Sequence, residues 1–125
     1  ITKVIGTALV KIEYKPKGMR FIRYTVDKDQ RKVVLFYEYG KEVIRYSMYT
    51  NSKDSSFGEK SVDDLIDEYE ITTNGHNISV KEYSIKGSEQ RRYTADFEYK
   101  GIQYQIKGKL KREELDEIIK NLFFM

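Results

Sequence analysis

Apolar and polar residues alternate with period two along most of this chain, the pattern typical of antiparallel strands. About eight such stretches are separated by polar breaks that contain Gly, Pro, Asn or Asp. The predicted strands are 4–14, 19–26, 33–39, 43–50, 69–73, 78–85, 93–100 and 102–107. Gly40-Lys41 and Asn74-Gly75 have the composition of two-residue hairpin turns, so the strands beside them are expected to pair. The longest predicted loop runs from Asn51 to Lys60.

Two segments depart from period two and predict helices. An amphipathic helix is expected from about Lys111 to Phe123, with apolar residues at i, i+3, i+4 and i+7. These apolar residues are Leu115, Ile118, Ile119 and Leu122. Earlier in the chain, Ser61 and Asp64 approximate a capping box, which predicts a short helix to about Asp67.

Successive hairpins followed by a helix predict an α+β domain. We expect a curved antiparallel sheet of about eight strands packed on one C-terminal helix, and a half-barrel like that of lipoprotein carriers would suit this order. A chain of 125 residues can bury an independent core without disulfides or metal ions. The prediction is therefore a single domain over residues 1–125.

The tyrosine-rich middle of the chain is the candidate binding surface. Its strands carry apolar or aromatic groups on both faces, and the candidate ligand-binding residues are Tyr37, Tyr39, Tyr46, Met48 and Tyr49. Core packing under the helix is the simpler explanation of this composition. If one face were open instead, it would form an amphipathic groove for a lipid tail, a glycan or a peptide.

Net charge adds little to this picture. Lys and Arg total 23 against 20 acids, and the net charge of +3 is spread along the chain. Arg20, Arg23 and Tyr24, and likewise Arg91-Arg92 beside Tyr93, interleave cations with aromatics as single-strand binders do. Because the net charge is low, no nucleic acid partner is expected. Basic residues near the first turn could instead face anionic lipid or wall polymer: Lys11, Lys15, Lys17 and Arg20.

No stretch is long and apolar enough for a membrane span, and no leader resembles a signal peptide. The sequence begins at Ile1, inside a predicted strand and without an initiator Met. We therefore expect a piece of a longer protein, with any targeting or anchoring segment upstream.

The residues that could carry catalysis do not form a recognisable set, so no enzymatic activity is expected. His76 is the single histidine and is expected to be a solvated turn residue. Ser55-Ser56 lies in a predicted loop outside any nucleophile-elbow context. With no cysteine and no second histidine, no cofactor and no zinc or iron site is expected. The acidic residues Asp63, Asp64, Asp67, Glu68 and Glu70 lack calcium-loop spacing and are mostly explained as acids near a helix N-terminus.

The order of motifs resembles domain-of-unknown-function family 4367, a bacterial family found mainly in Firmicutes, over nearly the whole chain. The residues that carry the resemblance are Pro16-Lys17-Gly18-Met19, Leu35-Phe36-Tyr37-Glu38-Tyr39, Tyr99-Lys100-Gly101-Ile102-Gln103-Tyr104, Gly108, Glu113-Glu114-Leu115 and Ile118-Ile119. The resemblance implies an extracytoplasmic domain carried C-terminal to a transmembrane helix, often in proteins linked to sigma and anti-sigma systems. It implies no catalytic residues.

Two hypotheses about function follow. The first is a non-enzymatic extracytoplasmic binding or sensing domain of a membrane-anchored regulatory protein, whose ligand is a lipid, a wall glycan or a peptide. The alternative is a structural protein-interaction domain. It would work through a sheet edge or through the apolar C-terminal tail, Phe123-Phe124-Met125.

Overall fold

The computed structural model describes residues 10–29, 31–49 and 64–124. In this part of the chain, nine strands and one helix follow in the order β1 Val10–Ile12, β2 Met19–Asp27, β3 Lys32–Tyr39, β4 Glu42–Tyr49, β5 Asp64–Thr73, β6 His76–Ser84, β7 Arg91–Tyr99, β8 Ile102–Lys109, α1 Arg112–Lys120 and β9 Leu122–Phe124. The antiparallel strands and the C-terminal helix are confirmed. The predicted loop from Asn51 to Lys60 and residues 4–9 of the first predicted strand lie outside the described residues.

Seven strands form one open antiparallel sheet in the order β2-β3-β4-β8-β7-β6-β5, and β1 pairs with β9 in a second, two-stranded sheet. The large sheet consists of two meanders, β2 to β4 and β5 to β8. They join where β4 pairs with β8, from Arg45 opposite Lys107 to Tyr49 opposite Gln103. This junction brings together segments more than fifty residues apart.

Hairpin turns occur where the sequence predicts them. Tyr39 pairs with Glu42 across Gly40-Lys41, and Gly40 adopts a φ of 61°. Asn74 and Gly75 both adopt positive φ, at 51° and 78°, as a type I′ turn requires.

One face of the large sheet packs against α1 and forms the core. Alternate residues of the central strands point to this face, because side chains along a strand alternate between its two sides. The fully buried residues among them are Ile44, Tyr46, Tyr104, Ile106, Ala95, Val80 and Ile78. The helix contributes Leu115, Ile118 and Ile119, which are also fully buried. The apolar stripe predicted for this helix therefore packs on the sheet.

The short helix predicted from Ser61 to Asp67 is wrong for its described part. Asp64 is the first residue of β5, and it pairs with Ser84 on β6, while Leu65 pairs with Tyr83. A register shift between Leu65 and Asp67 marks a bulge at Ile66. Cross-strand pairing with β6 stabilises this segment more than a helix cap would, so the segment extends β5 and the local capping signal is overridden.

The C-terminal helix is shorter than predicted. It ends at Lys120, and Leu122–Phe124 form β9 instead of a last helical turn. In β9, Leu122 pairs with Ile12 and Phe124 with Val10. Leu122 is buried in β9, and it would also be buried in a longer helix. The hydrophobic pattern therefore could not distinguish a last helical turn from a strand. Pairing with β1 decides between them because it satisfies backbone groups on both segments.

Candidate functional site

A pocket with a volume of about 710 Å³ opens beside the first turn of α1. The β3–β4 turn, the loop before β7, the end of β8 and the start of α1 form its walls. Tyr39, Tyr93 and Leu110 line it with aromatic and apolar surface. The pocket therefore lies where three separate parts of the chain meet.

Glu114 joins two walls of this pocket. The Tyr39 hydroxyl at the end of β3 donates a hydrogen bond to Glu114 Oε2. The other carboxylate oxygen, Oε1, accepts from the backbone N–H of Lys111 at 3.2 Å. The hydrogen bond to Glu114 raises the pKa of Tyr39 to about 12, and partial burial adds to the shift. Glu114 thus caps the helix and holds it to the sheet at the same time.

Arg112 fixes the other side of the helix start. Its guanidinium lies 3.9 Å from the centre of the Tyr69 ring, a cation–π contact. It also forms ion pairs with Asp67 at 3.3 Å and Glu82 at 3.9 Å. Burial, followed by the nearby Glu82 carboxylate, raises the pKa of Tyr93 to about 12. The pocket wall is therefore held in place before any ligand arrives.

Both signs of charge line the pocket. Lysines and arginines contribute Lys41, Arg91, Lys109, Lys111 and Arg112, and the acids are Glu42, Glu89, Glu113 and Glu114. One pair is internal, since Lys109 Nζ lies 3.8 Å from Glu42 Oε1. The described lining contains no histidine, serine, threonine or cysteine. Its chemistry is suited to ion pairing and hydrogen bonding.

Among residues 10–29, 31–49 and 64–124, no group of three or more His, Cys, Asp or Glu side chains is arranged to hold a metal ion.

The five tyrosine-rich candidate residues do not form one surface. Tyr37, Tyr46 and Met48 lie on the core face and are 7%, 1% and 2% exposed. Tyr49 points to the opposite face and is also buried, while Tyr39 is half-buried and lines the pocket. The Tyr46 hydroxyl donates to the carbonyl oxygen of Val10 at 2.7 Å, a contact that ties β1 to β4. The structure therefore brings one of the five residues to the pocket.

The sequence predicted that His76 is a solvated turn residue, and this prediction is wrong. It begins β6 and is half-buried. Its ring stacks on Phe124 with 4.6 Å between centroids, and it meets Tyr99 edge-on at 5.0 Å. The sequence could not indicate this packing, because it depends on β9, which places the Phe124 ring against His76.

The acidic cluster is also placed differently from the prediction. Asp63 lies outside the described residues, and Asp64, Asp67, Glu68 and Glu70 belong to strand β5. They are therefore not acids at a helix N-terminus. Asp67 reaches Arg112, whereas Glu68 pairs across the ladder with Lys81. Alternation along the strand sends these acids to opposite faces, so they do not converge on one ion.

Sequence reasoning missed the pocket residues Arg112 and Glu114, and it also missed Glu82, which pairs with Arg112. Only Glu114 carried a local signal, because it stands three residues after the N-cap residue Lys111, where a capping glutamate is common. The other two are brought together by the packing of α1 on β5 and β6.

Comparison with known proteins identifies a family and little else. Neither the curated proteins nor the solved structures include a match to this chain. Among the described residues, no helix combines the length and the apolar character needed to cross a bilayer. The family model described as "Domain of unknown function (DUF4367)" matches residues 9–122, which covers all but a few residues at each end. The chain therefore belongs to the DUF4367 family.

Proposed function

We propose that this domain is a non-enzymatic, extracytoplasmic module that binds and senses a ligand. It belongs to a regulatory protein that is attached to the membrane by a segment outside this chain. The observation that carries the proposal is the pocket beside α1. Its volume of about 710 Å³ falls within the range of small-molecule sites. The described lining offers aromatic surface and paired charges.

The preferred ligand is an amphiphile, a glycan or a peptide that carries polar groups of both signs. Tyr39, Tyr93 and Leu110 provide surface for the apolar part. Lys41 and Glu113 stand on the rim with charges of opposite sign. A rigid wall favours binding because less conformational entropy is lost when the ligand enters. The link from Tyr39 to Glu114 provides that rigidity.

The half-barrel form predicted for the sheet is part of this proposal. Glu114 and Asp116 stand two residues apart on α1, and they accept hydrogen bonds from Tyr39 on β3 and Tyr69 on β5. These strands are five positions apart in the sheet order. In a flat sheet that separation would be about 24 Å, whereas the whole helix is only about 14 Å long. A sheet curved around α1 explains how one short helix reaches both strands.

A thermal-shift screen tests the proposal. The purified domain is screened against fatty acids, lysolipids, wall muropeptides, Ca²⁺ and a short oligonucleotide. A ligand at about 100 times its Kd adds roughly 2.7 kcal/mol of stability, which raises the melting temperature by several degrees. The proposal predicts a shift with an amphiphile, a muropeptide or both.

Two variants assign any shift to the pocket. Gln90→Trp places a large ring at an exposed position of the lining, so it should reduce the ligand-induced shift. Lys86→Trp adds the same ring at an exposed position outside the pocket and should leave the shift unchanged. Equal shifts in the two variants would remove the pocket as the binding site. No shift with any class would favour the second candidate function.

The second candidate is a protein-interaction domain that works through the sheet edges. Both edge strands expose large apolar side chains, and these are Phe21, Ile22 and Tyr24 on β2, and Leu65 and Ile66 on β5. Exposed edges are places where another strand can add. Of the two described tail residues, Phe124 packs inward on His76 and Phe123 is exposed.

Sedimentation velocity over a range of concentrations tests this second function. Association that weakens in Phe21→Glu or Leu65→Glu would support a role for an edge. A sedimentation coefficient that corresponds to a monomer at every concentration would count against self-association through β2 or β5.

A further inference from the structure

The two edges of the large sheet have similar geometry and opposite charge. Strand β2 forms one edge and β5 the other. Each edge strand has a register shift, which leaves Ile22 of β2 and Ile66 of β5 without a partner in the ladder. These two isoleucines are 40% and 49% exposed. The charged residues around them differ in sign, so the two edges attract different partners.

We call residues 14–24 the basic edge, and they comprise the turn before β2 and most of that strand. The basic edge contains four exposed cations and no acid, and the cations are Lys15, Lys17, Arg20 and Arg23. Glu13 and Asp27 flank the segment, each with a lysine within two residues. On the other edge, residues 64–70 contain no cation and four exposed acids, which are Asp64, Asp67, Glu68 and Glu70. An anionic surface is therefore attracted by the β2 edge and repelled by the β5 edge.

Two lysines in the turn of the basic edge provide its available charge. Lys15 and Lys17 form no ion pair with any other residue in the part of the chain that the structure describes. The turn that carries them is closed by a hydrogen bond from the Met19 N–H to the Pro16 carbonyl oxygen at 3.0 Å. Both lysines are therefore presented to solvent at the start of β2.

The arginines of the basic edge already have partners. Arg20 lies 2.8 Å from Glu38 Oε1, in a pair whose side chains are 73% and 43% exposed. Such an exposed pair is weak and is screened by salt. The Arg23 guanidinium lies 4.0 Å from the centre of the Phe36 ring, and a guanidinium stacked on a ring keeps its in-plane N–H donors accessible. The two lysines therefore carry most of the unpaired charge of this edge.

Large apolar side chains are exposed among these cations. Four of them are 40% to 50% exposed, and these are Tyr14, Phe21, Ile22 and Tyr24. Phe21 and Tyr24 share one face of the sheet, since they pair with Tyr37 and Leu35 on β3. Exposed apolar patches with a polar rim mark sites of contact with proteins or membranes. Tyrosine is enriched where membrane and water meet, because its ring contacts apolar groups while its hydroxyl stays hydrated.

We propose that the basic edge docks on the surface of an anionic lipid bilayer. Lys15 and Lys17 meet the lipid phosphates, while Ile22 and Tyr24 enter the headgroup region. Membrane affinity of this kind combines buried apolar area with attraction to anionic lipids. A soluble anionic polymer would leave the apolar side chains in water, and a partner strand paired with β2 would leave both lysines unused, since they precede the strand. The basic edge lies outside the pocket lining, so docking does not depend on the ligand proposed for the pocket.

A fluorescent probe at each edge tests the proposal. The chain contains no tryptophan, so a single introduced one reports on its own surroundings. In Ile22→Trp, emission should shift to shorter wavelength when vesicles of phosphatidylglycerol and phosphatidylcholine are added, because the indole leaves water. In Ile66→Trp the same probe stands at the register shift of the acidic edge, and no shift is expected. Equal responses at the two edges, or no response at either, would overturn the proposal.

Lys15→Gln/Lys17→Gln measures the electrostatic contribution, by cosedimentation with the same vesicles. A basic residue near an anionic membrane contributes about fivefold to affinity, so loss of two should raise the Kd by about tenfold or more. Lys86→Gln/Lys120→Gln removes the same charge from exposed positions outside the basic edge and should change the Kd much less. Melting temperatures equal to that of the wild type check that both variants fold. Equal losses of affinity in the two double variants would overturn the site.

Ile22→Ser measures the apolar contribution. It should weaken vesicle binding by about threefold or more, since less apolar area is buried at the membrane. This loss should persist at high salt, whereas the deficit of the lysine variant should shrink as charges are screened. Ile66→Ser makes the same change on the acidic edge and should leave vesicle binding unchanged. Equal effects of the two serine substitutions would exclude insertion of Ile22.

Other ligands and one further variant distinguish the alternatives. Inorganic polyphosphate bound as tightly as the vesicles, with no loss in Ile22→Ser, would overturn the bilayer in favour of a soluble polymer. Self-association that Ile22→Ser abolishes, without vesicle binding, would assign the edge to a protein partner. Gln90→Trp alters the pocket and should leave cosedimentation with vesicles unchanged, which separates docking at the edge from entry of a lipid into the pocket.

Discussion

Gly108 on β8 lies so close to Ile44 on β4 that a side chain at position 108 would force Ile44 to shift. A Cβ at position 108 would lie 2.3 Å from Ile44 Cδ1 and 3.3 Å from Ile44 Cα. Gly108→Ala should therefore lower the free energy of unfolding by about 1 to 3 kcal/mol, the usual cost of overpacking a core. Urea unfolding followed by circular dichroism measures this change.

Ile44→Val provides the control, because it removes the Cδ1 atom that an alanine at position 108 would meet. Alone it should cost about 0.5 to 1.5 kcal/mol. In combination with Gly108→Ala the loss should be smaller than the sum of the two single losses. Simple additivity would show that the close approach is not what position 108 requires.

At the scale of elements, β9 determines how the C-terminal end packs. Phe123 and Phe124 are adjacent in one strand and point to opposite sides. Phe124 meets His76 at 4.6 Å and Tyr99 at 5.2 Å, whereas Phe123 is 47% exposed. Phe124→Ala should cost about 2 to 3 kcal/mol, somewhat less than a fully buried phenylalanine. Phe123→Ala should cost less than about 0.5 kcal/mol.

Chemical unfolding of these two alanine variants measures the contrast. Similar losses in the two would contradict the strand, because a strand gives its neighbouring residues opposite environments.

At the scale of the whole molecule, buried and hydrogen-bonded tyrosines make stability depend on alkaline pH. The pKa of Tyr39 is raised to about 12 by its hydrogen bond to Glu114, and that of Tyr93 to about 12 by burial. Burial also raises the pKa of Tyr37, Tyr46 and Tyr69. A tyrosine whose pKa is higher in the folded state contributes stability that is complete below about pH 10. That contribution is lost as the pH rises through the folded-state value.

The free energy of unfolding should therefore fall between about pH 10 and pH 12. Denaturant titrations at pH 8, 10 and 11 measure the fall. Tyr39→Phe removes one of the contributing groups, so its stability should be lower at pH 8 and should decline less steeply. An equal decline in wild type and variant would exclude Tyr39 as a contributor, since lysine deprotonation affects both proteins alike.

Local sequence patterns predict most of the strands. Alternation from Met19 to Val26 and from Ile102 to Lys107 depends on residues close together in the chain, and so does the two-residue turn at Asn74-Gly75. The amphipathic stripe of α1 is likewise a local pattern. It predicted which face of the helix is buried, but it did not predict the residue at which the helix ends. These features were predictable because neighbouring residues carry them.

Long-range pairing between segments determines how these elements meet. Pairing of β4 with β8 sets the strand order. Pairing with β6 makes a strand of Asp64–Asp67, and pairing with β1 makes one of Leu122–Phe124, although local signals favoured helix as far as Asp67 in the first case and Phe123 in the second. The same packing buries Tyr46 while it leaves Tyr39 at the pocket. Contacts between residues far apart in sequence produce each of these results, and no periodicity within a single segment encodes them.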